Sequence, residues 1–595
     1  MQGLAGVLLL GIAAQWLAWR MRIPSILLLL LTGFAVGPFT GYLDPQEMLG
    51  DELQHIVALA VAVILFEGGL TLHVRELKGA GRAATSLIVI GPVLTFVLVT
   101  GLAHWILDFA WEPAMLVGAI LVVTGPTVIG PLLQHVRPTG AVGKVVRWEG
   151  IVTDPIGAVM AVLVYEAFLH GEHERGIAYQ GLARAVLAGG GFGVLTGLVT
   201  VVLLKKKLIP DFLHAPVALA LAVAGFVGSN HIQHESGLIA VTLMGILLAN
   251  QRRVVIEHIV EFEENLRVIL VSALFILLAA NVPLEEFQRV NLRTIGFVVA
   301  LIVVARPVVV FLSTIGTGLD WKEKAFVSWM APRGIVAAAV ASVFAKELAD
   351  GPHQEAAGQL VPVVFLVIIG TVLVYGLTAR PLARKLGLSK GVPNGVFFVG
   401  AHGWARSIAV GLRDAGIEVQ LSDTNHGSVQ ASRIDGLTAH YGSVLADDFE
   451  LKIPLDDIGH LLCLTHNDEV NALACLHFAP LLGRGHVHQL TPDDAGPGGE
   501  EIAAHLRGHV LFDEELRFWD LEARFRDGAV VKTTRLSEEF GLAEFRSTYD
   551  QPGRPVVPLF FLRADGSVDV VSADEEEKWE AGDRVVAIVD EPAAA

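Results

Sequence analysis

The sequence predicts an α-helical polytopic membrane protein followed by a C-terminal α/β Rossmann-like domain, and three observations carry that prediction. Hydrophobic residues make up 53% of the 595 positions and charged residues 17%, a balance foreign to water-soluble globular domains. Apolar stretches of about 20 residues, long enough to span a bilayer, recur through residues 1–388. Charge is divided unevenly: residues 1–392 hold 27 Lys+Arg and 26 Asp+Glu, whereas residues 393–595 hold 16 and 35, so nearly all of the net −18 lies in the second part. An acidic tail repels phosphate backbones and lacks a polybasic lipid-binding segment, which excludes nucleic acid as a partner. Cys463 and Cys475 are too few for a disulfide framework or a zinc site and fit a reducing cytosol.

The first stretch, Gly3 to Leu17, runs into Arg20 and Arg22 without a small-residue cleavage site and reads as a first helix rather than a signal peptide. About thirteen spanning segments follow in order, beginning near Gly3, Ile23, Leu53, Ala83, Pro113, Val145, Ala178, Ala215, Ser236, Ile259, Leu292, Ala325 and Gln359. Alternate loops carry about eighteen basic residues against about five on the other side (Arg175, Arg184, Arg289, Arg293 and Lys346). The positive-inside rule then puts the N-terminus outside and the C-terminal domain in the cytoplasm, across a bacterial inner membrane.

Thirteen segments with a central seventh allow two inverted six-helix repeats, and that design demands a broken helix at the matching place in each half. The fifth segment is interrupted by TGPTVIGP, Thr124 to Pro131, and the twelfth by APRG, Ala331 to Gly334. Unwound backbone at membrane depth is tolerated where it lines a cavity.

A charge at the bilayer centre costs roughly 3 kcal/mol or more, so intramembrane ionisable groups are candidates for function. Glu149 and Asp154 stand five residues apart in the sixth segment, about 140° around a helix, and need different partners. Arg333, at the second break, is assigned to Glu149 as a structural ion pair, since a buried guanidinium needs a carboxylate nearby. Asp154 is then left facing the cavity, able to hold a proton or a dehydrated monovalent cation, and competition at one carboxylate amounts to exchange. Thr124, Thr127, Thr153 and the carbonyls freed by the broken fifth helix are candidate oxygen ligands. Glu67, Arg267 and Arg306 are read as paired structural supports.

Taken together, PSILLLLLTGFAVGP (Pro24 to Pro38), LFEGGLTL (Leu65 to Leu72), TGPTVIGPLL, EGIVTDPIGA and APRGIVAAAVA resemble, in order, the monovalent cation:proton antiporter superfamily, nearest the NhaP-type sodium/proton exchangers. The resemblance implies six helices around two crossed broken helices, moving against a dimerisation domain, and a homodimer. It assigns Asp154 to ion binding and proton exchange, and Glu149 with Arg333 to the buried pair that orients it. Thr153 stands where electroneutral members usually carry Asn and electrogenic ones Asp, so one acid is present and 1:1 electroneutral exchange of Na⁺ or K⁺ for H⁺ is expected. Thr124-Gly125-Pro126 replaces the family's frequent Thr-Asp-Pro, leaving Na⁺ and K⁺ both open.

From Gly395 the pattern changes to GVFFVG, SIAVGLRDAG and IEVQLSD, a βαβ unit. Its glycine turn, Gly400, His402 and Gly403, with Asp423 at the end of the second strand, is the expected place for a nucleotide, although His402 replaces the fingerprint's second glycine. LTHNDEVNALAC, Leu464 to Cys475, resembles domains that regulate potassium conductance; the resemblance covers residues 394–510 and implies a dimeric gating module with a regulatory NAD(H), AMP or ATP. Residues 511–595 read as a small β-rich subdomain. No nucleophile joins His402 and Asp423, so no enzyme is expected. A potassium efflux system or channel gated by the same module is the alternative, and the chain lacks a TVGYG-like filter. A membrane oxidoreductase would need haem or iron–sulfur ligands, and residues 1–388 contain no Cys.

Overall fold

A computed structural model describes residues 2–590 except 22, 51, 78–79, 169–174, 283–290, 349–353, 390–392, 447–448, 450–452, 454, 456, 494–502, 504–505 and 574–577. The chain divides into two compact units, Met1–Ser389 and Lys390–Ala595.

The first unit is all helical: α1 (Gln2–Met21), α2 (Ser25–Phe34), a short α3 (Pro45–Leu49), α4 (Glu52–Leu70), α5 (Gly81–Leu107), α6 (Trp111–Ile120), α7 (Pro126–Val136), α8 (Val142–Phe168), α9 (Arg175–Lys205), α10 (His214–Ile232), α11 (Ser236–Asn250), α12 (Glu257–Ala280), α13 (Leu292–Ala300), α14 (Arg306–Ser313), α15 (Trp321–Ser328), α16 (Ile335–Leu348) and α17 (Gln354–Leu386). Among the described residues, eight helices are long and apolar enough to cross a membrane, and three shorter apolar helices accompany them. Many of their large apolar side chains face outward, Leu9 at 74% and Trp105 at 75% exposure among them, as a lipid-facing surface requires.

The helices form two packed groups. One contains α1, α2, α4 and α9–α12; the other contains α5–α8 and α13–α17, with α7, α8, α16 and α17 touching both. Small residues set the closest approaches. A Cβ added to Gly69 would stand 2.5 Å from the Thr242 carbonyl oxygen, and one added to Gly245 would stand 2.4 Å from that of Phe66, so α4 and α11 meet backbone to backbone.

The second unit opens with a parallel six-stranded sheet in the order β3-β2-β1-β4-β5-β6, from β1 (Gly395–Val399), β2 (Val419–Asp423), β3 (Thr438–Tyr441), β4 (Ile458–Cys463), β5 (Val487–Gln489) and β6 (His509–Val510). Helices α18 (Gly403–Asp414), α19 (His426–Ile434) and α20 (Asp468–Leu482) connect its strands, the doubly wound pattern of a Rossmann-like domain. After α21 (Phe518–Arg526), an antiparallel sheet in the order β7-β10-β8-β9 is built from β7 (Ala529–Arg535), β8 (Val557–Leu562), β9 (Val568–Val570) and β10 (Arg584–Asp590), with α22 (Leu542–Tyr549) between β7 and β8. One apolar core joins Val396, Leu462 and Leu412 to Leu559 and Val586, so the two sheets share their interior.

Candidate ion site

The two helix breaks meet. Residues 121–125 are non-helical between α6 and α7, and residues 329–334 between α15 and α16. A Cβ on Gly125 would lie 2.4 Å from the Gly334 Cα, and Gly125 N–H donates to the Pro332 carbonyl at 3.1 Å. Only two glycines allow this crossing. The expected interruption at Thr124 to Pro131 is shorter than the sequence suggests: Pro126 begins α7, where its missing N–H costs nothing, and Pro131 lies inside that helix.

Asp154 lies in α8 and is fully buried; among the described residues neither carboxylate oxygen meets a hydrogen-bond partner. The Thr124 backbone N–H and the Arg333 guanidinium both act favourably on its charged form. Thr153 Oγ1 donates to the Glu149 carbonyl at 2.7 Å and lies 2.6 Å from Thr124 Oγ1. With the Thr153 proton committed to that carbonyl, Thr124 must donate to Thr153, and the lone pairs of Thr124 Oγ1 remain free for a cation. Thr127 Oγ1 is buried and, among the described residues, has no hydrogen-bond partner. The four residues named from sequence for ion binding thus stand on α8 (Asp154 and Thr153), at the first break (Thr124) and in the first turn of α7 (Thr127), and all are buried.

The expected pair of Glu149 with Arg333 is corrected. Glu149 is bound in a two-pronged pair by Arg306 of α14, with Arg306 Nη1 on Oε1 and Nη2 on Oε2, the latter at 2.7 Å, and Nη2 also donates to the Val327 carbonyl. Arg333 instead donates through Nη1 to the carbonyls of Val123 (3.0 Å) and Val122 (3.4 Å), while its N–H donates to Thr371 Oγ1. The negative end of α6, equivalent to roughly half an elementary charge, partly compensates the guanidinium. The Val122 and Val123 carbonyls freed by the break therefore each accept from Arg333, whose positive charge disfavours a second cation beside them. Arg306 and Thr371 were the parts missed as neighbours of the site. Arg306 carried a signal, being one of few arginines inside an apolar stretch. Glu67 pairs with Arg267 at 3.0 Å, a support between α4 and α12.

In the second unit, Gly400 has φ +112°, so the glycine turn after β1 is formed. Its approach is covered. A Cβ on Gly400 would lie 3.3 Å from the His402 ring, which packs against Trp404 and Phe518 at centroid distances of 4.4 and 4.9 Å. Burial pushes the His402 pKa down to about 4, so the ring is a neutral filler at neutral pH. Asp423 accepts from Ala401 N–H and Asn425 N–H at 2.8 Å each, tying the turn to β2. Gly403 begins α18 with open space around it. These residues do not fit a dinucleotide as arranged: the imidazole lies where the pyrophosphate must approach the glycine.

A protein-family model described as sodium/hydrogen exchanger, transmembrane, matches residues 5–385. The chain is 27% identical over 408 residues to the Na(+)/H(+) antiporter 1 of Methanocaldococcus jannaschii, covering 64% of this chain and 94% of that one. It is 27% identical over 392 residues to the K(+)/H(+) antiporter NhaP of Alkalimonas amylolytica, covering 64% of this chain and 66% of that one. The solved structure of the sodium proton antiporter MjNhaP1 from Methanocaldococcus jannaschii at pH 8 aligns with a TM-score of 0.57 at 25% identity, over 64% of this chain and 97% of that chain.

Proposed function

The chain belongs to the sodium/hydrogen exchanger family, and from that premise we propose that it exchanges Na⁺ or K⁺ for H⁺ at Asp154. The observation that carries this reading is the buried, unbonded Asp154 carboxylate beside the crossing of two broken helices. Burying a carboxylate whose oxygens lack side-chain partners is costly unless a proton or a cation joins it, so the site is occupied by one or the other in turn.

Charge bookkeeping supports one-for-one exchange. Glu149 and Arg306 cancel each other, which leaves Asp154 and Arg333. With a proton on Asp154 the remaining charge is +1; with a monovalent cation against ionised Asp154 it is again +1. The loaded site therefore carries the same charge in both directions, and transport is electroneutral. Thr124 and Thr127 hydroxyl oxygens complete the cation's shell, as hard oxygen donors suit an alkali ion.

Alternating access follows from movement of the helix group containing both breaks against the group containing α4 and α9–α12, in an inverted-repeat protein of thirteen spans that works as a homodimer in the bacterial inner membrane. The seam between the groups is largely apolar where Val57 and Val61 of α4 face Val336 and Val340 of α16, and such a surface slides without breaking ion pairs. The loop-charge asymmetry supports a cytoplasmic C-terminal unit, and the resemblance of LTHNDEVNALAC to domains that regulate potassium conductance supports a regulatory role for it. Regulation of this unit by NAD(H), AMP or ATP would need the His402 ring to leave Gly400, and equilibrium binding of labelled nucleotide to the purified chain tests it.

Reconstitution in liposomes tests the central claim: a pH gradient is imposed and proton flux followed on adding Na⁺, K⁺ or Li⁺. Cation-dependent flux in the wild type and its loss in Asp154→Asn is the expected result. Flux that survives the substitution, or none with any cation, would overturn it.

A further inference from the structure

The second unit carries a histidine cluster that ion transport does not use. His488 of β5 pairs in register with His509 of β6 and with Leu462 of β4, and His460 lies two residues before Leu462, so three strands present imidazoles on one sheet face. His486 joins them just before β5. Ring centroids are 4.8 Å apart for His460 and His486, 5.7 Å for His460 and His488, and 6.0 Å for His488 and His509. The four line a cavity of about 240 Å³ whose opposite wall includes Arg563, Asp569 and Lys578 from the antiparallel sheet and its connections.

His488 is 4% exposed, and among the described residues neither of its ring nitrogens has a hydrogen-bond partner; His460 Nδ1 is likewise unpartnered. Burial holds both imidazoles neutral at cytosolic pH, the His460 pKa at about 4 and that of His488 well below the usual value. His488 therefore offers one N–H donor and one lone pair, whereas His460, whose other ring nitrogen is bonded to the Val568 backbone, offers the lone pair of Nδ1. Asp569, the lining carboxylate, is occupied by Arg563 Nε at 2.7 Å, and Arg563 also holds Asp583 at 2.7 Å. Lys578 keeps a cationic rim on the cavity.

A metal ion suits this wall poorly. Among the described residues no three His, Cys, Asp or Glu side chains are grouped to hold one, the cavity is far larger than a bare ion needs, and two cationic side chains border it. A polyatomic anion bearing both acceptor oxygens and a hydroxyl donor suits it well. We propose that this cavity binds a phosphate group, as inorganic phosphate or a phosphorylated solute, with His488 and His460 pairing its hydroxyl and oxygens and Lys578 supplying charge. The site lies in a part of the chain with a net charge of −19 (16 basic against 35 acidic residues), so it is a local exception to an anion-repelling surface.

Calorimetric titration of the full-length, detergent-purified chain with inorganic phosphate at neutral pH tests this proposal, independently of transport. Saturable phosphate binding is expected, with sulfate, which carries no hydroxyl donor at that pH, binding roughly tenfold more weakly. His488→Leu and the exposed Lys578→Ala should each weaken phosphate by roughly tenfold. Phosphorylated solutes that compete with inorganic phosphate would identify the group as their shared headgroup. No phosphate binding, equal affinity for sulfate, unchanged affinity in Lys578→Ala, or zinc binding that is lost in His488→Leu would each overturn it.

Discussion

The guanidinium of Arg306 grips both carboxylate oxygens of Glu149, with both side chains buried, and so ties α14 to α8 about one and a half turns from Asp154. Removing one partner of such a pair leaves an uncompensated buried charge. Arg306→Ala is expected to destabilise the first unit by about 3–5 kcal/mol, and the double variant Arg306→Leu/Glu149→Leu by much less than the sum of its parts. A thermal-unfolding double-mutant cycle checks this. The same cycle with Arg333 and Glu149 should show weak coupling, because Arg333 bonds carbonyls; strong coupling there would reinstate the pairing read from the sequence.

Gly125 and Gly334 touch at the crossing, so neither accepts a side chain. Gly125→Ala places a methyl 2.4 Å from the Gly334 Cα, and the backbones must part. Overpacking of this kind costs about 1–3 kcal/mol, and the shift of Thr124 away from Asp154 should lower cation-driven flux by roughly tenfold or more. Gly130→Ala, where nothing lies within 4 Å, is the matched control and should transport normally. Flux in proteoliposomes separates the two.

The proton order inferred for Thr124 and Thr153 makes a separate claim. Thr124→Val removes the free hydroxyl lone pairs and the bond to Thr153, and should raise the half-saturating cation concentration about threefold to tenfold, as expected for one lost hydrogen-bonding group. Thr124→Ser should restore most of the affinity. An unaltered cation dependence in Thr124→Val would remove it from the ligand set.

Stability of the second unit should fall on acidification. His402 and His460 have folded pKa values of about 4, below the usual histidine value near 6.5, so the unfolded chain binds more protons in that window. The folded state is favoured fully above pH 6.5 and loses about 1.4 kcal/mol per pH unit per histidine as pH drops from there to about 4. Thermal melts of the full-length chain over this range check the slope, and His402→Phe should flatten it by one histidine's share.

Much of the architecture was legible from the chain alone because its causes are local. Apolar length and loop charge reveal membrane helices, Gly and Pro within such a stretch reveal where helix geometry fails, and a lone Asp before Pro155 in an apolar helix marks itself by the cost of burying it. The strand–turn–helix–strand pattern from Gly395 likewise follows from short-range periodicity. The partner of Glu149 was not local. Two arginines were available, 157 and 184 residues away, and only the crossing angles of α8, α14 and the second break decide which one reaches it. Nor does sequence reveal that Arg333 can be satisfied by the carbonyls at the end of a broken helix, that the His402 ring folds back over Gly400, or that imidazoles from three strands share one face. The sequence by itself determined where charge and helix breaks must sit; tertiary packing alone decided which groups answer them, because an ion pair or a filled turn depends on distances between segments that short-range patterns do not encode.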